Sequence, residues 1–237
     1  MKSALSIPRL LPQSGVTDVR VAFVLLPALL VTLLHRDLCA VDALPATGLL
    51  ADMSIRVWTY YACTFLLFGA VPLMIVKGVL HEQPVEYGLR VGDWRFGLPL
   101  TVLLLAGFAI LTFAAPAGLD SLRRVYPVDP GAMDSPALFL RHATLRLVLF
   151  YTAWEFLFRG FLLQGLRGTV SDATAVMIQT LPSALWHIGY PTSEIYASVA
   201  GGLLFGWLAL RTRSLLWPLL LHAGVGIITD LAITLTR

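Results

Sequence analysis

Seven long apolar runs, separated by short polar segments, take up most of this 237-residue sequence. They cover residues 21–34, 56–80, 96–115, 145–166, 173–188, 195–210 and 215–235. A helix needs about 20 apolar residues to cross the hydrocarbon core of a bilayer, and only helices or closed barrels satisfy the backbone hydrogen bonds there. No run shows the sustained alternation of apolar and polar residues that strands of a barrel would have. The sequence therefore predicts an all-α, polytopic transmembrane helical bundle of about seven helices.

The composition fits a protein surface that faces lipid. Hydrophobic residues make up 57% of the sequence and charged residues only 13%, whereas a soluble domain uses roughly 25% charged residues. The formal net charge of +3 is too small to indicate binding to nucleic acid. We therefore expect an integral, multi-pass membrane protein in contact with the lipid bilayer; the bacterial inner membrane is our hypothesis for its location.

The N-terminal segment, residues 1–20, does not have the pattern of a cleaved signal peptide. No apolar stretch follows Lys2 closely, and there is no small-residue cleavage site. We therefore expect the first apolar run to be a retained signal anchor, although its 14 residues are short for a full crossing. Cys39 and Cys63 fit no disulfide framework or metal spacing and are predicted to be ordinary apolar residues.

Four ionisable side chains lie inside or beside the apolar runs of the C-terminal half: Glu155, Arg159, His187 and His222. A titratable group in the hydrocarbon region is costly, so each of the four is a functional candidate. Glu155 and Arg159 are four residues apart, which puts them on one helical face within reach of an ion pair. The pair is either purely structural, each charge making the other tolerable in lipid, or part of a site.

The two histidines lie in different helices and have polar or small neighbours. Gln179 and Ser183 precede His187 at four-residue steps, so this helix carries a polar stripe that faces protein or water rather than lipid. Without such a stripe, a membrane histidine is more commonly a hydrogen bonder in helix packing. Small residues follow His222, so another backbone or a substrate can approach it closely. Asp230, two turns further along the same face, either belongs to the site or is solvated at the helix end.

Glu155, His187 and His222 are predicted to lie at comparable depths in the membrane. With the helical rise of about 1.5 Å per residue, their depths below one membrane surface are roughly 18, 22 and 12 Å. We therefore predict that the three side chains surround a common cavity, open to water from one membrane face. A carboxylate and two imidazoles can activate a water molecule for attack, with or without a divalent metal.

These motifs, in this order, resemble the CPBP intramembrane proteases, a family that includes CAAX prenyl endopeptidases and bacteriocin-processing enzymes. The family's first motif, EExxxR followed by glycine, corresponds to Trp154, Glu155, Arg159 and Gly160. Its second motif, FxxxH, corresponds to Ser183 and His187. The GxxxGxxxxRTxS stretch and the later histidine correspond to Gly202, Gly206, Arg211, Thr212, Ser214 and His222. Residues 87–90 resemble the family's GLR segment.

The resemblance is close over residues 145–235 and implies an all-helical membrane enzyme that cuts a peptide bond within or near the bilayer. In the family a glutamate activates the attacking water, and the histidines are credited with aiding that activation and stabilising the oxyanion. A role for a metal is left open. The resemblance divides the chain into residues 1–142, with the tail and helices 1–3, and a CPBP-like catalytic core of residues 143–237, with helices 4–7.

Besides Ser183, which stands where the second motif usually has phenylalanine, two positions depart from the family's pattern and bear on the chemistry. Trp154 stands where the family has the glutamate that is usually credited with activating water, and Gly226 stands where an asparagine is common. Three outcomes follow: Glu155 activates water itself, His187 acts as the base, or the protein no longer cleaves. We favour Glu155 as the base and predict Glu155, Arg159, His187 and His222 as the catalytic residues.

The expected function is therefore an intramembrane peptidase that acts on a membrane-associated peptide or protein through water activated by glutamate and histidine. The main alternative is a non-catalytic membrane protein with the same fold, such as a bacteriocin-immunity or scaffold protein. A small-molecule transporter is a third hypothesis, less favoured because the sequence has no inverted repeat.

Overall fold

The structure, a computed structural model, describes residues 13–236. It consists of seven helices, and no β-strand occurs within those residues. The helices are α1 (Gln13–Leu34), α2 (Met53–Gly78), α3 (Trp94–Ala114), α4 (residues 136–166), α5 (Asp172–Leu185), α6 (Thr192–Thr212) and α7 (Leu216–Leu235). The predicted all-α bundle is confirmed. Most of the N-terminal tail, whose lack of a cleavage site we noted, lies outside the described residues.

Five helical segments are long and apolar enough to cross a membrane: Val19–Cys39, Met53–Gly78, α3, α6 and α7. The other two helices differ in length and burial. α5 has only 14 residues, and every residue of α4 from Ala153 to Leu166 is buried. The neighbouring helices therefore shield this half of α4 from lipid, which makes it the central helix of the bundle.

α4 begins earlier than its apolar run indicated. Its first residue is Pro136, and the side chain of Ser135 accepts a hydrogen bond from Leu138 N at 3.2 Å. A serine N-cap followed by proline is a strong helix start. His142 and Arg146 interrupt the hydropathy pattern but belong to the helix and are buried. The predicted boundary between the N-terminal part (residues 1–142) and the CPBP-like core (residues 143–237) falls within α4.

α4 contains two π-helical stretches, Arg146–Tyr151 and Phe156–Leu162. π-Helical turns are rare and are frequently found at functional sites. A wider turn also changes which face a side chain occupies relative to a regular α-helix. The second stretch follows Glu155 directly and contains Arg159, so this pair lies where the helix departs from regular geometry.

Two glycines of α6 allow it to pack closely on α5. A Cβ at Gly202 would lie 2.6 Å from the side chain of Thr180, and one at Gly206 would lie 2.8 Å from Gln179 Nε2. Gln179 Nε2 also donates a hydrogen bond to Gly202 O at 2.8 Å. The polar residue Gln179 therefore joins two helices, and the small residues at 202 and 206 are required by packing.

The segment 87–93 is hydrogen-bonded to the turn between α6 and α7. Leu215 N donates to Gly88 O at 2.9 Å. Gly92 has a φ of +64°, and a Cβ on it would collide with the carbonyl oxygen of Thr212. Only glycine adopts this conformation without strain and permits this approach. The contact fixes the start of α7, the helix that carries His222.

A polar cluster connects α1, the end of α4 and the loop after α2. Arg20 donates to Glu82 Oε1 at 2.6 Å and to Gly165 O at 3.0 Å, and Tyr87 Oη donates to Glu82 Oε2. Partial burial raises the pKa of Glu82, but the hydrogen bonds from Arg20 and Tyr87 outweigh it, so the pKa lies below its ordinary value. Glu82 is therefore a charged acceptor near neutral pH.

Candidate active site

A cavity of about 340 Å³ lies between the C-terminal helices, within the range of small-ligand sites. α4 to α7 all contribute to it, as does the loop between α3 and α4. Its walls include Tyr126, Tyr151, Trp154, Arg159, Ser183, His187, Glu194, Phe205, His222 and Gly226. Arg159, His187 and His222 thus reach the common cavity that the sequence predicted. Glu155 is not among the residues that line it.

His187 follows directly on the last turn of α5, and its imidazole is fixed by the backbone. Its Nδ1 lies 2.8 Å from the carbonyl oxygen of Ser183. A carbonyl can only accept, so Nδ1 carries the proton and Nε2 of the neutral ring is left as a hydrogen-bond acceptor. Both residues line the cavity, so the polar stripe predicted on this helix ends there.

His222 is held by Glu155. Its Nδ1 lies 2.7 Å from Glu155 Oε1, and its ring packs edge-on against Tyr151, with centroids 4.8 Å apart. A carboxylate that accepts from one ring nitrogen fixes the orientation of an imidazole. The carboxylate thereby connects α7 to α4 and sets the direction of the other ring nitrogen.

Arg159 donates to the same oxygen, Glu155 Oε1, at 3.2 Å, as the four-residue spacing predicted. Both side chains are about 1% exposed. An unpaired charge at such a position would be strongly unfavourable, so each needs the other. Glu155 therefore accepts hydrogen bonds from an arginine and a histidine at one oxygen.

Trp154 occupies the space between the two histidines. Its ring centroid lies 6.0 Å from that of His187 and 6.4 Å from that of His222, and both ring pairs are close to perpendicular. The side chain is 1% exposed. The two imidazoles therefore border one part of the cavity, and the residue at the family's glutamate position fills the space between them with an indole.

Tyr151 occupies the space next to Gly226. A Cβ at residue 226 would collide with Tyr151 Oη, so a larger residue such as the family's asparagine does not fit while Tyr151 keeps this position. The tyrosine also lines the cavity beside His222. A hydroxyl is therefore present near the position at which the family commonly has an amide.

Glu194, in the first turn of α6, also lines the cavity and was missed by the sequence analysis. Its Oε1 lies 3.9 Å from His187 Nε2 and accepts a hydrogen bond from Tyr126 Oη at 2.5 Å. Burial, and then the charge of Glu194, raises the pKa of Tyr126 well above its ordinary value, so Tyr126 is a stable donor. Glu194 stands just outside its apolar run, so hydropathy gave no signal for it.

Asp230 does not belong to the cavity, and it is not solvated. It is 1% exposed, and its Oδ2 accepts from Arg146 at 2.5 Å and lies 3.3 Å from His142 Nε2. The guanidinium of Arg146 lies 5.1 Å from the ring centroids of both Tyr126 and Tyr151. The expectation of a solvated residue was wrong because α4 starts early enough to bring His142 and Arg146 against α7.

The described residues contain no group of three or more His, Cys, Asp or Glu side chains that could hold a metal ion. His187 and Glu194, whose Nε2 and Oε1 atoms lie 3.9 Å apart, are one pair of potential donors on the cavity wall. Two protein donors are fewer than a zinc site uses.

The chain was also compared with known proteins. Neither the curated proteins nor the solved structures contain a match to it. A family model described as Type II CAAX prenyl endopeptidase Rce1-like matches residues 136–228. This region starts at the first residue of α4 and ends within α7, so it includes all four predicted site residues. The match confirms the resemblance to the CPBP family, which includes the CAAX prenyl endopeptidases, that the motifs of the C-terminal half predicted.

Proposed function

We propose that this protein is an intramembrane peptidase that hydrolyses a peptide bond of a membrane-associated peptide or protein. The observation that carries the proposal is the convergence of His187 and His222 on one cavity inside a helical bundle. Each imidazole has one nitrogen fixed by a partner in the protein, and both rings border the cavity. Imidazoles oriented in this way are suited to holding water and stabilising developing charge.

The roles of the remaining residues follow from their contacts. Arg159 holds Glu155 by an ion pair, and Glu155 in turn orients His222. The hydroxyl of Tyr151 is available to donate to the oxyanion of a tetrahedral intermediate, and His222, whose Nδ1 donates to Glu155, is left with Nε2 as an acceptor for water or a substrate N–H. His187 stands across the indole of Trp154 and is available to hold the attacking water.

The surroundings of the cavity favour a substrate with an apolar anchor. Aromatic side chains form much of its wall, and α3 and α6 expose leucine, isoleucine and valine on their outer surfaces. A lipidated peptide, or a peptide attached to a transmembrane anchor, could remain in the bilayer while its peptide bond enters the cavity. We therefore propose this class of substrate.

The experiment uses purified protein in lipid nanodiscs and two reporter peptides. One is a prenylated peptide with a CAAX terminus, and the other carries a transmembrane anchor. Mass spectrometry of the products should show cleavage of at least one reporter by the wild type. His187→Asn should reduce cleavage by about 100-fold or more, whereas His81→Asn, which changes an exposed histidine outside the site, should not. No cleavage of either reporter by the wild type would contradict the proposal.

A non-catalytic protein with the same fold is the second candidate. The observation that favours it is the indole of Trp154 at the position of the family's glutamate, together with the engagement of Glu155 by Arg159 and His222. In that case the wild type and the His187→Asn variant would leave both reporters intact. Binding of a partner protein without cleavage would then be the activity to measure.

A further inference from the structure

Two hydrogen-bond acceptors face each other at one end of the cavity. His187 Nε2 is an acceptor, because Nδ1 carries the proton that is donated to Ser183 O. Glu194 Oε1 lies 3.9 Å away from it. That separation is too long for a direct hydrogen bond. It fits one water molecule that donates one O–H to each acceptor.

We propose that Glu194 is the catalytic carboxylate, which takes a proton from a water molecule held between it and His187. The inference rests on the peptidase function proposed above and names the base for that reaction. It assigns the chemistry to the first turn of α6 instead of the glutamate of the EExxxR-like motif on α4. Glu155 becomes a positioning residue that acts through His222.

The surroundings of the two carboxylates differ in the way that the proposal requires. Glu155 does not line the cavity, and its Oε1 already accepts from both Arg159 and His222. Its Oε2, like that of Glu194, is buried and has no hydrogen-bond partner among the described residues, so the two carboxylates differ in their access to the cavity and in the charge beside them. Glu194 lines the cavity and has no arginine or lysine within ion-pair distance among the described residues. A carboxylate can accept a proton from a cavity water only if it reaches that water.

The contacts of Glu194 also fix its position. Tyr126 Oη donates to Oε1, which holds the carboxylate against the loop between α3 and α4. The other oxygen, Oε2, is buried and has no hydrogen-bond partner among residues 13–236. Buried carboxylate oxygens in native proteins nearly always have a partner, including ordered water. An oxygen of this kind on a cavity wall is suited to bind water or a substrate amide.

The step balances with no other reactant. The water oxygen attacks the scissile carbonyl carbon as one water proton passes to Glu194, and the C=O π pair moves to oxygen to form the oxyanion. The oxyanion pair then re-forms the carbonyl as the C–N bond breaks, and the leaving nitrogen takes the proton from Glu194. The products are a carboxylic acid and an amine, and Glu194 returns to its carboxylate form.

The test is the cleavage rate of Glu194→Gln in nanodiscs, with the reporter that the wild type cleaves. The amide can still accept from Tyr126, so the fold should be preserved, but it cannot take a proton. We expect kcat to fall by about 100-fold or more with little change in KM, and an unchanged unfolding temperature. Glu86→Gln, which alters an exposed glutamate remote from the cavity, should cleave at the wild-type rate.

A second variant, Glu194→Asp, decides the question if Glu194→Gln does not fold. It keeps the charge but moves the carboxylate away from His187 by one methylene, so we expect an intermediate rate. A folded Glu194→Gln protein that cleaves as fast as the wild type would overturn the inference and leave the peptidase function intact. If Glu194→Gln is unfolded, cleavage by Glu194→Asp at the wild-type rate would likewise overturn the inference and leave the peptidase function intact. A wild type that cleaves no reporter would overturn both proposals.

Discussion

Glu155 Oε1 lies 2.7 Å from His222 Nδ1, which connects the central helix α4 to α7 through a buried hydrogen bond. Arg159 donates to the same oxygen from one helical turn further along α4. The carboxylate therefore has two functions in the fold. It balances a buried arginine, and it orients an imidazole that borders the cavity.

The first prediction is that Glu155→Gln destabilises the protein. The amide cannot balance the charge of Arg159, and removing one partner of a buried ion pair costs about 3–5 kcal/mol. Thermal unfolding in nanodiscs, or chemical unfolding in mild detergent, would measure the loss. Glu86→Gln, an exposed change of the same chemistry, is the control and should unfold like the wild type. A Glu155→Gln protein of wild-type stability would contradict the role of this carboxylate as the counter-charge of Arg159.

The second prediction concerns Asp230, which is the counter-charge of Arg146 on α4. Asp230→Asn leaves this buried guanidinium without an anion, so we expect the free energy of unfolding to fall by about 3–5 kcal/mol. Asp120→Asn changes a carboxylate whose side chain is 75% exposed, and it should change stability little. Equal unfolding temperatures for the two variants would contradict the role assigned to Asp230.

Part of this arrangement could be predicted from the sequence because it depends on spacing within one helix or on hydropathy. The four-residue separation of Glu155 and Arg159 determines that they meet. The apolar runs predict the helices, and the similar depths of His187 and His222 predict that both can reach one cavity. These are local rules, and they hold once the helices form.

The rest depends on how separate elements pack. Glu155 contacts Arg159 and His222 but does not itself line the cavity, and the next residues of its helix form a π-helical stretch. The 3.6-residue period of a regular α-helix does not predict a π-helical stretch or the side-chain directions that result from it. Glu194 reaches His187 only because the short segment 186–191 reverses the chain between α5 and α6. Hydropathy treats such residues as the polar end of a helix, so a site carboxylate there gives no separate signal.

The third prediction is that Gly92→Ala weakens the attachment of α7. Residue 92 has a positive φ, and its added Cβ would collide with the carbonyl oxygen of Thr212. A non-glycine residue in that conformation costs about 1–3 kcal/mol before the collision is considered. Gly107→Ala is a matched control, because this helical glycine has open space around it and alanine favours a helix. We expect a lower unfolding temperature for the first variant and an equal or higher one for the second.

The fourth prediction is a dependence of stability on pH that disappears in Glu82→Gln. The hydrogen bonds from Arg20 and Tyr87 hold the pKa of Glu82 below its ordinary value of 4.5 in the folded protein, although partial burial opposes them. A carboxylate whose folded pKa is depressed contributes stability that is fully present above its unfolded pKa and is lost as pH falls through the folded pKa. The unfolding temperature of the wild type should therefore decline as the pH is lowered below 4.5. Glu82→Gln should be less stable than the wild type at pH 7 and should decline less steeply in that range. Parallel pH curves for the two proteins would show that this cluster does not contribute to the acid sensitivity of the fold.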